Sequence, residues 1–353
     1  MKKELLMATA LVSTLGAASV AQAVTATMSG SMKIGAEFDS PDGSSAVDTQ
    51  NVIDLSNFSV SLSETTDGGT TISSSFGVID EGASDIGDDD NSLKLTFTDG
   101  SALEVLNAGN ALGTHDVAIP GAAGEQGVAG TSTNSAPSGL DFAGPATALG
   151  VEWHSAADFL MDGLKMSASF STDSGAAKAV TSRVENSWGL GATYVTSAGD
   201  TALTIGGGIS GSEVAVLDTQ SGADDGGFTI GVSAVTGDLT VAVGYADGDT
   251  TTGVASNTNK QVDGDVLKAG ISYKATSDLT LALGVTSGTG TDNIFGGTGT
   301  LTDSHDEMNA SVTWTVASGV SAVLGYTNVD QNDEGVSDDT GGSSWYVGAT
   351  MSF

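Results

Sequence analysis

Thr25-Ala26-Thr27-Met28-Ser29-Gly30-Ser31-Met32-Lys33-Ile34-Gly35-Ala36-Glu37-Phe38 places apolar residues or glycine at even positions and polar residues or glycine at odd ones. Side chains on a strand point alternately to opposite faces, so this stretch has one greasy face and one wet face. Three or four alternations arise by chance in a soluble sandwich; this run is longer.

The pattern returns along the chain. Phe58, Val60 and Leu62 share a face, as do Ile72, Phe76 and Val78, and Leu93, Leu95 and Phe97. Later come Leu164-Met166-Ala168-Phe170, Trp188-Leu190-Ala192-Tyr194, Phe228-Ile230-Val232-Ala234 and Leu239-Val241-Val243-Tyr245. Leu279-Leu281-Leu283-Val285 and Met308-Ala310-Val312-Trp314 follow, and the chain ends on Trp345-Val347-Ala349-Met351-Phe353. Turn signals at Thr66–Gly69, Asp99–Ser101, Ser197–Asp200, Thr236–Asp238, Thr276–Asp278 and Ala317–Gly319 are short. Longer acidic connections, read as loops, lie at Asp80–Asn91, Gly211–Gly227, Asp247–Gly264, Ser287–Asp306 and Asp330–Gly342. Short turns at one rim and long loops at the other define a transmembrane antiparallel β-barrel, here of about sixteen strands.

Aromatic positions fit that frame. With the N-terminus in the periplasm, Phe38, Phe58, Phe76, Trp188, Phe228, Tyr245, Tyr326 and Trp345 fall toward the long-loop rim. Phe97, Tyr194, Tyr273, Trp314 and Phe353 fall toward the short-turn rim. Two girdles are expected where amphipathic rings sit between lipid and water. Tyr346 is an exception, alternating inward.

The ends and the composition bound the rest. Met1-Lys2-Lys3, an apolar run to Val20 and Ala21-Gln22-Ala23 have the parts of a secretory signal peptide, residues 1–23, ahead of a single domain over 24–353. No later stretch is apolar enough to cross a bilayer as a helix, so a membrane residence requires a closed barrel. The 353 residues hold 10 Lys+Arg against 44 Asp+Glu, a net charge of −34 that excludes nucleic acid as a partner. Cysteine is absent, so no disulfide supports the exported chain.

Two segments resemble the opening strands and first turn of general porins of alphaproteobacteria: Thr27–Gly35, and Val60-Ser61-Leu62-Ser63-Glu64-Thr65-Thr66-Asp67-Gly68-Gly69. The closing Tyr346-Val347-Gly348-Ala349-Thr350-Met351-Ser352-Phe353 is similar to an outer-membrane assembly signal read by the barrel assembly machinery. The resemblance implies a homotrimer in outer-membrane lipid. It also implies that the loop after strand three reaches a neighbour and the loop after strand five folds inward. The latter corresponds to about Asn107–Ala148, and would present Asp116, Glu125 and Asp141 to a pore. Family constrictions face that loop with arginines, but Arg183 is the sole arginine and reads as lying in an outer loop.

Expected on the wet wall are Lys33, Glu37, Lys94, Glu104, Glu152, Lys165 and Lys268; each single one is equally a solvated polar residue. His154 alternates inward beside Glu152, while His115 and His305 lack metal-ligand spacing. Asp85, Asp88, Asp89 and Asp90 offer the oxygens calcium takes, as does Asp330–Gly335 in part, against the alternative of solvated loops. No other cofactor is implied, and no nucleophile elbow, phosphate loop or zinc motif appears. The expected function is passive diffusion of small hydrophilic solutes, with cations preferred because acidic rings lower their barrier. Three readings compete. A substrate-preferring channel calls for an interior aromatic ladder, an outer-membrane enzyme calls for a Ser–His or Asp–His set at one rim, which is not evident, and a secreted acidic surface-layer or calcium-binding β protein calls for solubility without girdles.

Overall fold

The computed structural model describes residues 24–42, 47–80, 92–105, 111–121, 149–172, 182–216, 223–252, 260–291, 302–332 and 340–353. The residues 1–23 read as a signal, the acidic cluster Asp85–Asp90, and Glu125 and Asp141 lie outside them. The first strands are β1 (Thr25–Pro41), β2 (Thr49–Thr65), β3 (Thr71–Asp80), β4 (Ser92–Thr96) and β5 (Ala102–Val105). A one-turn helix α1 (Ala111–Thr114) precedes β6 (Leu149–His154), β7 (Leu164–Thr172), β8 (Ser182–Ala198), β9 (Thr201–Val216) and β10 (Ala223–Thr236). Then come β11 (Leu239–Thr252), β12 (Lys260–Lys274), β13 (Leu279–Thr291), β14 (Thr302–Ala317), β15 (Val320–Asn332) and β16 (Thr340–Ser352).

Every strand pairs antiparallel with its sequence neighbours, and β1 pairs with β16 from Ser31↔Ser352 to Pro41↔Gly342. The sheet therefore closes on itself. Closure leaves no edge strand with unpaired N–H and C=O groups, the condition for a sheet to sit in hydrocarbon.

The alternation has a definite sense. Met28, Met32, Ile34 and Phe38 of β1 and Leu281, Leu283 and Val285 of β13 are exposed on the outside. Ser167, Ser169 and Ser171 of β7, and Glu307, Asn309 and Ser311 of β14, are buried on the inside. This inverts the arrangement of a soluble protein, and only a solvent as apolar as lipid makes it favourable.

Aromatic contacts mark the girdles. Tyr326 and Trp345 lie 4.6 Å apart on neighbouring strands, and Phe228 and Tyr245 lie 5.9 Å apart. Phe58 departs from the expectation that it lies toward the long loops. Its ring is 6.4 Å from that of Phe353, so it belongs with the short-turn rim. The reason is stagger: Ser352 pairs with Ser31, while Thr25 pairs with Ser63, so β1 and β2 overrun the end of β16. Gly30 lets the Phe353 ring lie over the backbone there, since a Cβ would meet that ring at 2.5 Å.

Several segments read as loops are strand. Pairing continues to Val214↔Ala223, Thr252↔Lys260, Thr291↔Thr302 and Gln331↔Thr340, and Arg183 pairs within β8 with Ala215. Beyond Tyr245, Val285 and Met308 the next outward positions on β11, β13 and β14 are Asp247, Ser287 and Asp306, so the apolar alternation stops while the backbone ladder continues. Seventeen residues, the length of β1, span about 56 Å at about 3.3 Å each. Even tilted by about 40°, such a strand outreaches an apolar band about 25 Å tall.

The short turns use the residues the sequence offers. In Phe97–Ser101, Gly100 takes φ 85° and donates its N–H to the Phe97 carbonyl at 2.9 Å. The Asp99 carboxylate accepts from the Ser101 hydroxyl at 2.7 Å and its N–H at 2.9 Å, which holds its pKa below the ordinary value.

Candidate functional site

The segment after β5 lies within the barrel. Helix α1 packs on the inner face of β7, β8 and β9, with Ala111 and Leu112 fully buried and the Ala111 N–H donated to Ser169 Oγ at 3.0 Å. From His115 the chain then runs extended around the inner wall. Thr229 of β10 donates to Asp116 Oδ1 at 2.8 Å, and Ser311 of β14 donates to the Gly121 carbonyl at 3.1 Å. Residues 111–121 thus cross the inner faces of β7 to β14, the inward fold expected of this loop.

The wall that receives the segment is glycine. A Cβ on Gly191 or Gly208 would overlap backbone, the Ala111 carbonyl oxygen at the first. A Cβ on Gly206 would overlap the His115 carbonyl oxygen, one on Gly231 would meet Val117, and one on Gly270 would overlap the Pro120 carbonyl oxygen. Register joins these positions into a row, Gly206↔Gly231↔Gly244, then Gly270↔Gly284↔Asn309. Absence of side chains lets one backbone lie flush on another. Sequence reading did not select this row, although successive wet-face glycines on neighbouring strands are its signal.

His115 anchors the bend. Its Nδ1 is 2.7 Å from Thr193 Oγ1 and its Nε2 is 2.9 Å from Ser167 Oγ. Burial pushes its pKa below the ordinary value, Glu152 works against this, and His154 and Lys165 add to it. Around it lies a polar chain. Thr114 donates to Glu152 Oε1 at 2.7 Å, His154 Nδ1 contacts Ser167 Oγ at 3.0 Å, His154 Nε2 is 3.3 Å from Glu104, and Lys94 is 3.5 Å from Glu104. Register explains the grouping, since Lys94 faces Glu104 and Glu104 faces Glu152 across adjacent strands. Of the wall residues expected from sequence, Lys94, Glu104 and Glu152 therefore meet in one network. Lys165 faces Thr193 beside it.

The other wall residues are apart. Glu37 of β1 is buried and receives a contact from Ser344 at 3.4 Å, and Lys33 stands four residues earlier on the same face. The Tyr346 ring lies flat on this wall between Gly35 and Gly348, its hydroxyl donating to the Ile34 carbonyl at 3.2 Å. On β14, His305 is fully buried with Nδ1 3.0 Å from Gln331 Nε2 and Nε2 3.7 Å from Glu307. Glu307 and Asn309 are joined by a 2.8 Å hydrogen bond. Sequence reading did not select Glu307, which shows no signal beyond its inward parity.

Asp116, Lys268 and Glu307 line a common cavity of about 320 Å³, whose remaining wall includes Val117, Ile119 and Asn309. No salt bridge joins Lys268 to a carboxylate among the described residues. Two anions and a cation thus face water in one constricted space. No group of side chains suited to a metal ion occurs among the described residues.

A closed barrel, apolar outside and polar inside, with a loop folded into its lumen, defines an outer-membrane channel. The model of the Gram-negative porin family matches residues 8–335, and the chain belongs to that family. Among solved structures, the chain resembles an anion-selective porin from Comamonas acidovorans with TM-score 0.65 and 11% identity, covering 94% of this chain and 100% of that one. It resembles the trimer form of OmpT, an outer membrane protein of Vibrio cholerae, with TM-score 0.62 and 14% identity over 94% and 99% of the two chains. OmpF of Salmonella typhi gives TM-score 0.61 and 13% identity over 94% and 98%. Comparison with curated proteins gave no match. Membership of the Gram-negative porin family places the protein in the outer membrane and sets aside the surface-layer reading.

Proposed function

We propose that the channel passes small hydrophilic solutes by passive diffusion and prefers cations. The observation carrying this reading is the lumen-docked segment 111–121, which leaves an aqueous cavity bordered by Asp116 and Glu307 with Lys268 as its cation. Elsewhere on the inner wall Glu37, Glu104 and Glu152 stand against Lys33, Lys94 and Lys165, and Lys94 is neutralised by Glu104. The whole-chain charge of −34 adds to the same sign at the mouths. Charge clefts of one sign raise the local concentration of counter-ions and speed their entry. A close fold relative is anion-selective by its description, so the sign follows from the side chains and not from the barrel.

Further parts of the reading rest on sequence. Residues 1–23 serve as a cleaved export signal, Glu125 and Asp141 complete the constriction, and Asp85, Asp88, Asp89 and Asp90 take calcium. The barrel is a homotrimer in outer-membrane lipid, delivered by the assembly machinery through the strand ending in Phe353. One known relative in fold occurs as a trimer. Reversal potentials across a planar bilayer bearing a KCl gradient test the selectivity: a cation-selective sign is expected, and an anion-selective sign overturns it.

A further inference from the structure

The turn between β6 and β7, residues 155–163, differs from its neighbours on the short-turn rim. Those are built from Asp, Gly, Ser, Thr and Ala, whereas this one carries Phe159-Leu160-Met161, exposed to 41%, 74% and 54%. A single exposed leucine is ordinary; three consecutive large apolar side chains on a rim turn require a partner.

The direction of the turn identifies that partner. The Phe159 ring meets Trp153 edge to face, 5.5 Å between centroids at 74°. Trp153 belongs to the outward parity of β6, with exposed Val151 two residues earlier and inward Glu152 and His154 on either side. The turn therefore folds back along the outer wall, away from the lumen, and its apolar triplet continues the barrel's outward apolar band.

The conformation is built and held. Asp158 has φ 60°, the only positive φ outside glycine among the described residues. A strained residue persists where its surroundings over-determine it. Here Asp158 Oδ1 accepts the Gly163 N–H at 2.6 Å, Phe159 donates to the Leu164 carbonyl at 3.1 Å, and Leu164 donates to the Met161 carbonyl at 3.1 Å. The Gly163 carbonyl accepts from Val195 of β8 at 2.9 Å, tying the turn to the barrel. Asp158 and Asp162 bracket the triplet and keep the flanks at the water side.

We propose that this turn is an interfacial foot that inserts Leu160 and Met161 into zwitterionic phospholipid on the periplasmic side of the membrane. Rigid apolar side chains bracketed by charges settle about 5–10 Å into the headgroup and acyl boundary. An indole at the same level is the residue that interface favours. The two aspartates disfavour an anionic surface, which is why the lipid is zwitterionic.

The chain has no cysteine, so a single thiol-reactive dye reports one site. Leu160→Cys, Met161→Cys and, as a polar-turn control on the same rim, Ser318→Cys are labelled with an environment-sensitive fluorophore. Each is reconstituted as the full-length mature barrel in phosphatidylcholine vesicles with and without nitroxide near the top of the acyl chain. Channel conductance and heat-modifiable migration certify folding of each variant, and the two foot positions serve as independent readings. Blue-shifted emission quenched by the nitroxide lipid at 160 and 161, but not at 318, is expected. Emission and quenching equal to the control overturn the proposal. Blue-shifted emission that the nitroxide lipid does not quench overturns it too, and means that another copy of the chain or another protein covers the turn.

Discussion

Where Gly270 would carry a side chain, the Pro120 carbonyl oxygen already sits. Gly270→Val therefore pushes the 119–121 backbone off the wall and into the lumen, and overpacking of this kind costs about 1–3 kcal/mol of docking. Single-channel conductance falls in this variant; Gly77→Val, whose Cβ meets open space, leaves it unchanged. His115 gives the segment a pH dependence. Its docked pKa lies below the ordinary 6.5, so the undocked segment binds the proton more readily. Docking is unpenalised above 6.5, weakens as pH falls from there toward the docked value, and levels off below it. Current noise from loop motion rises between about pH 7 and pH 5, the range of imidazole titration, and His115→Asn flattens the rise. At this scale the sequence was only partly legible. Asp116 stood out through the resemblance of its loop to the inward loop of the family, whereas His115 and the glycine row act through partners on distant strands, which spacing alone does not reveal.

Strand alternation survives translation into structure because lipid and water impose the period of two directly, without the intermediary of an irregular core. Strand ends were less legible for the same reason. Once β11 to β15 pass above the girdle both faces are wet, the period vanishes, and Gly- and Asp-rich strand looks like loop. That region carries like charges directly opposed on the outer face, Asp247↔Asp265 and Asp306↔Asp330. Such pairs cost roughly 0.2–1 kcal/mol each across an antiparallel ladder. Asp306→Asn is expected to raise the temperature at which the native band converts to the heat-denatured one, with a smaller gain at high salt because screening already relieves the repulsion. A gain that does not shrink with salt contradicts the charge explanation. The turn at 155–163 was illegible for another reason: Phe159-Leu160-Met161 breaks the polar pattern of a turn without restoring the alternation of a strand.

For the whole molecule, two sets of carboxylates compete to set ionic preference: the many in the long-loop segments, and the few held at the constriction, Asp116 and Glu307 among the described residues. Salt separates them. The Debye length is about 10 Å at 0.1 M and about 3 Å at 1 M, so charges at an open mouth lose their hold on passing ions while charges within a narrow space do not. Asp116 is fixed by Thr229, and Glu307 by Asn309, so neither relaxes away from an ion in transit. The cation-over-anion permeability ratio is therefore expected to decline from 0.1 M to 1 M KCl yet to stay above unity. Asp116→Asn should lower the residue of selectivity at 1 M more than it lowers the low-salt excess. The permeability ratio of this variant against the wild type at both concentrations checks the assignment. A ratio that reaches unity at 1 M in the wild type places selection at the mouths and removes Asp116 from it.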